Sequence, residues 1–245
     1  MIAWKSSGSA LERKGSATGP AISNASLAAV ALTPHLVVTA VPTAGGGGEL
    51  VSWSIGASGA VALGNTVPLP GQWLSAAKLD SRNVAIGFQD PEGTVGTLLY
   101  TVTATAIGYE AEIFNTQGSI TSVAAINSGE FVTAISTNLG TLQLDSWSVS
   151  QLGAVAHQAT ASAGAISRVA ITADGTGGVA TAVRNSAGDL GGHRLGRGCQ
   201  LRRDHADVFR HRGRRQPGRG HHDRGPDLHR VCKLHWKSRC GCVGI

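Results

Sequence analysis

Cysteine is missing from the first 190 residues, and all four cysteines of the 245-residue chain lie beyond them. That excludes a disulfide framework from most of the protein and leaves no redox compartment to read. Aromatic residues make up 4% and charged residues 15% of the sequence, both low values. No apolar run reaches the roughly 18 residues that would suggest a transmembrane helix, so no membrane partner is expected. A charged stretch followed by an apolar one, the mark of a signal peptide, is absent too. Helical periodicity with caps is found nowhere. The compartment therefore stays open. Met1 falls inside a strand pattern, just before Ile2-Ala3-Trp4, which reads as an internal start or a truncation.

What the chain does have is recurrence. Phe131–Trp147 reads as strand, turn, strand, with Gly140 in a polar turn and alternation from Leu142 to Trp147. The strand before the turn recurs at Leu36–Val41, Val84–Phe88, Phe131–Ile135 and Val179–Val183. Thr39, Ile86, Thr133 and Thr181 are then equivalent, with steps of 47, 47 and 48 residues. Turn glycines follow the same beat at Gly45, Gly93, Gly140 and Gly188. One position after the turn holds Trp4, Trp53, Val102 and Trp147. A third marker starts at Ala21, Trp73, Ser119 and Ala165.

Each unit of about 48 residues carries four strand-like segments. In the last clear copy they are Leu142–Val149, Ala154–Thr160, Ile166–Thr172 and Gly178–Arg184. Gly, Asp and Asn between them supply tight turns. Four short antiparallel strands at this period resemble the blade of a β-propeller. The resemblance covers residues 2–190 and rests on period and strand count; no subfamily signature accompanies it. It implies an all-β fold, a propeller fragment of four repeats at about 1–49, 50–97, 98–142 and 143–190, followed by a tail at 191–245. A β-sandwich pair and a β-solenoid are the alternative architectures.

The net charge of +6 averages two unlike segments. Residues 1–190 hold 7 Lys/Arg against 11 Asp/Glu, whereas residues 191–245 hold 14 against 4. At Gly191 the pattern stops and Arg, Gly and His take over. Such a tail is too poor in apolar residues to form a core and is expected to be disordered. Its composition also suggests translation out of frame. Read one base later, Arg and Gly codons give Gly, Ala, Val, Asp or Glu. The codons of Trp236 and Lys237 then force a glycine 48 residues after Gly188. Cys232–Ser238 can be read as ANSTGNL, beside RNSAGDL at Arg184–Leu190. His193–Gly196 permits IALD, and the last residues permit DVDVWEF, with a tryptophan in register.

Site candidates are weak by comparison. In the tail, Cys232, His235, Cys240 and Cys242 have spacings that zinc could tolerate but fit no familiar knuckle or ribbon. His221-His222 adds imidazoles without a defined geometry. Arg202-Arg203 and Arg210–Arg215 would contact phosphates nonspecifically. In the body, Trp4, Trp53 and Trp147 suit packing between blades better than a ligand ring, and Trp73 reads as core. Asp145 breaks an apolar pattern, taking Ile2, Val51 and Tyr100 as its equivalents, and reads as a solvated edge residue. Glu110 and Glu112 alternate toward water. His35 sits in a turn, His157 after a strand, and neither has a visible acid–base partner. Gly45–Gly48 lacks the Lys-Ser/Thr and helix of a phosphate loop. Asn24-Ala25-Ser26 matches a glycosylation sequon weakly.

No residue is therefore assigned to catalysis, ligand binding or metal, and no cofactor is implied. The favoured function is a non-catalytic binding module for an unknown protein or carbohydrate, without specific nucleic-acid or membrane partners. The alternatives are a fragment of a propeller hydrolase or lyase acting on sugars or lactones, and a nucleic-acid binder working through the basic tail.

Overall fold

The alternating β-branched and small residues form strands throughout, with no helix among the described residues. The computed structural model describes residues 1–23, 27–150, 153–185 and 187–195. The first sheet pairs β1 (Ile2–Ser7) with β2 (Ala10–Ser16). The second contains β3 (Ala28–Thr33), β4 (Leu36–Pro42), β5 (Gly48–Ile55) and β6 (Val61–Leu69) in chain order. The third begins with β7 (Gln72–Lys78), β8 (Asn83–Gln89) and β9 (Thr94–Val102). Its outer strand is the first half of β10 (Ile107–Asn127), which pairs β9 from Ile107 to Gln117. The second half of β10 crosses inward and pairs β11 (Glu130–Thr137), opening the fourth sheet. That sheet continues with β12 (Thr141–Val149) and β13 (Val155–Ala165). The fifth contains β14 (Arg168–Ala173), β15 (Val179–Arg184) and β16 (Leu190–Leu195).

All pairings are antiparallel, and the first strands of successive sheets touch: β3 with β7, β7 with β10, β10 with β14. This is the blade arrangement of a β-propeller, as the repeats implied. Apolar layers fill the spaces between neighbouring sheets. Leu32, Val38, Leu50, Ile86, Phe88 and Leu98 lie between the second and third. Ala77, Leu79, Leu99, Val123, Phe131 and Trp147 lie between the third and fourth. Leu142, Leu144, Ile166, Val169 and Val179 join the fourth to the fifth. Middle strands are consequently buried on both faces: β9 is buried without a break from Val95 to Tyr100.

Cross-strand register refines the repeat. Val37, Val84 and Phe131 face Trp53, Tyr100 and Trp147, each set 47 residues apart. The aromatic position in the third sheet is therefore Tyr100, and not Val102. Asp145 faces Thr133 and corresponds to Val51 and Leu98, which face Thr39 and Ile86. The turn glycine of the second sheet is Gly46 (φ 93°), matching Gly93 (83°), Gly140 (68°) and Gly188 (91°); Gly45 is not in the left-handed region. Each of the four donates its N–H to the carbonyl three residues earlier, on Thr43, Asp90, Thr137 and Asn185. Only glycine adopts this conformation without strain.

The segments read at Leu142–Val149 and Ala154–Thr160 fall on β12 and β13, and those at Ile166–Thr172 and Gly178–Arg184 fall on β14 and β15. The first two close one sheet and the last two open the next. The hydrogen-bonded unit thus starts half a repeat away from the unit counted in the sequence. Nor does pairing stop at Gly191: Gly191 and Gly192 face Val183 and Ala182 within β16. The tail from residue 196 on, with its expected disorder and its Cys, His and Arg clusters, lies outside the described residues, as does Asn24-Ala25-Ser26.

Candidate functional site

Three places concentrate polar side chains. The first is inside the layer between the third and fourth sheets. Asp145 on β12 is 3% exposed, so it is not the solvated edge residue expected. Thr160 Oγ1 donates to its Oδ1 at 2.6 Å and Gln143 Nε2 to its Oδ2 at 2.8 Å. Register explains this: Asp145 faces Thr160 directly, and a bulge beyond Ser146 places His157 opposite Trp147. His157 lies within β13, and not after a strand. Its Nε2 is 3.0 Å from Thr160 Oγ1 and 3.6 Å from Asp145 Oδ1, and its ring meets Trp147 edge-on at 5.0 Å. Trp147 Nε1 donates to Thr133 Oγ1 (3.1 Å), as does Asn115 Nδ2 (2.9 Å) from the third sheet.

The order of these bonds decides what the cluster can do. Thr160 has one hydroxyl proton and gives it to Asp145. Its oxygen can then only accept from His157. The bonds run from His157 to Thr160 to Asp145. A nucleophilic relay needs the histidine between hydroxyl and carboxylate. The cluster is therefore a brace across one sheet.

The second place is an open cleft of about 430 Å³ at the end of the sheets that carries the β8–β9 and β11–β12 turns. Gln117, Ser119, Thr137, Asn138 and Ser167 line it, together with the backbones of Gly93, Gly118 and Gly140. Gly118 is where β10 crosses between sheets; a Cβ there would lie 2.8 Å from the Ser136 carbonyl oxygen. Asn138 N donates to Gln117 O (3.1 Å) and Ile166 N to Gly140 O (2.7 Å), tying three sheets together around the cleft. No lining residue is ionisable. Its residues come from three repeats, most of them from the third, in short pieces separated along the chain, so no local sequence pattern marks them.

The remaining sequence candidates are scattered. Trp53 and Trp147 are buried between sheets, but Trp4 is 58% exposed. Trp73 is not core: it is 37% exposed, has φ 53°, and sits in a register irregularity between Gln72 and Ser75. Leu74 takes the buried place beside it. Glu110 and Glu112 are both exposed, and Glu110 is the extra residue of a bulge, so strict alternation fails. Glu110 also lines a separate cleft of about 500 Å³ at the opposite end, with Asp80, Ser128 and Ser150. His35 hydrogen-bonds Ile55 O through Nδ1 at 2.8 Å. Gly45–Gly48 forms the β4–β5 turn region, where Thr43 N meets Gly47 O. No three His, Cys, Asp or Glu side chains converge as metal ligands among the described residues.

Comparison with protein-family models gives no match, and comparison with curated proteins gives none either. Solved structures do resemble the fold. The fucose-specific lectin of Aleuria aurantia, solved with alpha-methyl-L-fucoside, aligns with TM-score 0.55 at 12% identity, covering 80% of this chain and 66% of that one. AofleA of Arthrobotrys oligospora aligns with TM-score 0.52 at 16% identity, over 74% and 56%. The NanB sialidase of Streptococcus pneumoniae aligns with TM-score 0.51 at 12% identity, over 69% and 30%. The chain thus spans less than two thirds of these proteins. At such identities the likeness is one of fold alone.

Proposed function

We propose that the protein is a non-catalytic binding module of propeller type and that its ligand is a carbohydrate. The observation that carries this reading is the uncharged cleft of about 430 Å³ at the turn end of the third to fifth sheets. A sugar presents hydroxyls that donate and accept at once. Amide and hydroxyl side chains, with glycine peptide groups between them, answer both needs. A lining without ionisable groups offers no general acid or base, and so nothing to activate its serine and threonine hydroxyls as nucleophiles. The bond order at Asp145 supports the same view, and the resemblance in fold to a fucose-specific lectin is compatible with it.

A panel of neutral and acidic mono- and oligosaccharides on an array, followed by calorimetry, tests the reading. At least one glycan is expected to bind, and Asn138→Ala is expected to weaken it about tenfold, the value of roughly one hydrogen bond. Binding to none of the panel, or an unchanged affinity in the variant, would overturn the proposal.

We also propose that the chain from about Gly191 on is the product of a shifted reading frame. Support comes from the forced glycine on the beat of the repeat.

A further inference from the structure

Trp73 is the only non-glycine residue with positive φ among the described residues. A bulky side chain in the left-handed region is strained, and such strain collects where ligands are clamped. The indole is partly exposed, and the Arg168 guanidinium carbon lies 5.4 Å from its ring centroid. Trp73 belongs to the inner strand of the third sheet and Arg168 to that of the fifth. The contact therefore skips the fourth sheet and bridges across the ends of the inner strands. Arg168 also lies directly opposite Arg184 in the β14–β15 ladder. Like charges facing each other in a ladder are unfavourable unless something answers them. No ion pair to either arginine occurs among the described residues.

The two arginines do not line the uncharged cleft, but they adjoin it in the chain and in the β14–β15 ladder. Ser167, a cleft residue, precedes Arg168, and its hydroxyl approaches the carbonyl oxygens of Arg184 (3.3 Å) and Asn185 (3.2 Å). A guanidinium laid on an indole keeps the in-plane fork of N–H donors that suits a carboxylate. We infer that this rim binds the carboxylate of a sugar acid whose ring occupies the neighbouring cleft, with Trp73 holding Arg168 in place. The inference rests on the carbohydrate reading above and narrows it to carboxylate-bearing sugars.

Calorimetry on the full chain with D-glucuronate and D-galacturonate, against D-glucose and D-galactose, is the test. The uronates should bind about tenfold more tightly than their neutral counterparts. Arg168→Gln should erase that preference while leaving neutral-sugar affinity unchanged. Arg184→Gln should reduce it, and Trp73→Leu should weaken uronate binding without removing the arginines. Both arginines are exposed and neither makes an ion pair among the described residues, so the variants should fold; circular dichroism checks this. Equal affinity for uronates and neutral sugars, or a preference that survives Arg168→Gln, would sink the inference while the carbohydrate reading stood. Acetate or inorganic phosphate binding as tightly as glucuronate would also sink it, by showing a bare anion site. If no sugar of either kind binds, both proposals fall.

Discussion

Taking away the buried Asp145 carboxylate removes the acceptor of the exposed Thr160 hydroxyl and the half-buried Gln143 amide, both of which water can still reach. Asp145→Ala should therefore cost about 1–2 kcal/mol, the net value of one or two hydrogen bonds, read from urea unfolding. An unchanged midpoint would show that the brace contributes nothing. Tyr100 makes a second prediction. Burial, then the neighbouring Tyr109 and Glu112 charges, push its phenol from 10.0 up to about 12. The folded chain thus holds this proton where the unfolded chain has lost it. The stabilisation is complete below pH 10 and drains away as pH rises toward 12. With only two tyrosines in the chain, Tyr109→Phe leaves a single phenol, whose absorbance should still titrate above 10 in the folded protein, because burial, the largest cause of the rise, remains. A midpoint near 10 would mean that Tyr100 is open to solvent. Asp145 was legible as a break in the repeat, but its burial was not. Between stacked sheets both faces of a strand are covered, so alternation cannot distinguish water from a neighbouring sheet. Trp73 misled for a related reason: a one-residue bulge moves a side chain to a new direction without disturbing the spacing around it.

Strand pairs in the second and fourth sheets carry the same internal tie. Trp53 Nε1 donates to Thr39 Oγ1 at 2.9 Å, and Trp147 Nε1 to Thr133 Oγ1 at 3.1 Å. The tryptophan on the third strand of each sheet thus reaches diagonally to a threonine on the second. In the fourth sheet the threonine also accepts from Asn115 of the sheet before, so one hydroxyl joins two sheets. Thr133→Val keeps the shape and strands two buried donors, for an expected loss of about 2–4 kcal/mol; Thr39→Val strands one, for about 1–2 kcal/mol. Chemical unfolding of the two variants side by side checks the ratio, and equal losses would show that the Asn115 bond has no energetic weight. These elements were largely legible. The period, the paired threonines and two of the tryptophans stood out in the sequence because equivalent places in successive sheets make equivalent contacts. What stayed hidden was the phase. A period says how far apart equivalent strands lie and nothing about which neighbours hydrogen-bond, so the boundary of a sheet could be placed only from the pairing. The cleft was illegible for a similar reason, since its wall is made of turn residues and backbone from three different repeats.

At the scale of the whole molecule, the proposed shift of frame makes a prediction at the last strand. Leu195 faces Val179 in β16, the place where the earlier sheets put Trp53, Tyr100 and Trp147 opposite Val37, Val84 and Phe131. An aromatic residue is due there. Read one base later, a leucine codon ending in G followed by the glycine codon of residue 196 becomes TGG, which is tryptophan. The two codons before it permit Ile-Ala, so positions 193–195 can spell Ile-Ala-Trp, the triplet that stands at residues 2–4, whereas a T as the last base of the leucine codon would give the Ile-Ala-Leu of the other permitted reading. The gene should therefore carry a G in the third base of codon 195. A chain rebuilt with the shifted frame from about residue 191 should complete the fifth sheet with an aromatic residue in register. Burying such a side chain contributes on the order of 2–3 kcal/mol, so the rebuilt chain should unfold at higher urea than the chain as written. Any other third base at codon 195 removes the tryptophan and with it the argument from register. A rebuilt chain that is no more stable would show that the frame as written is the one this fold uses.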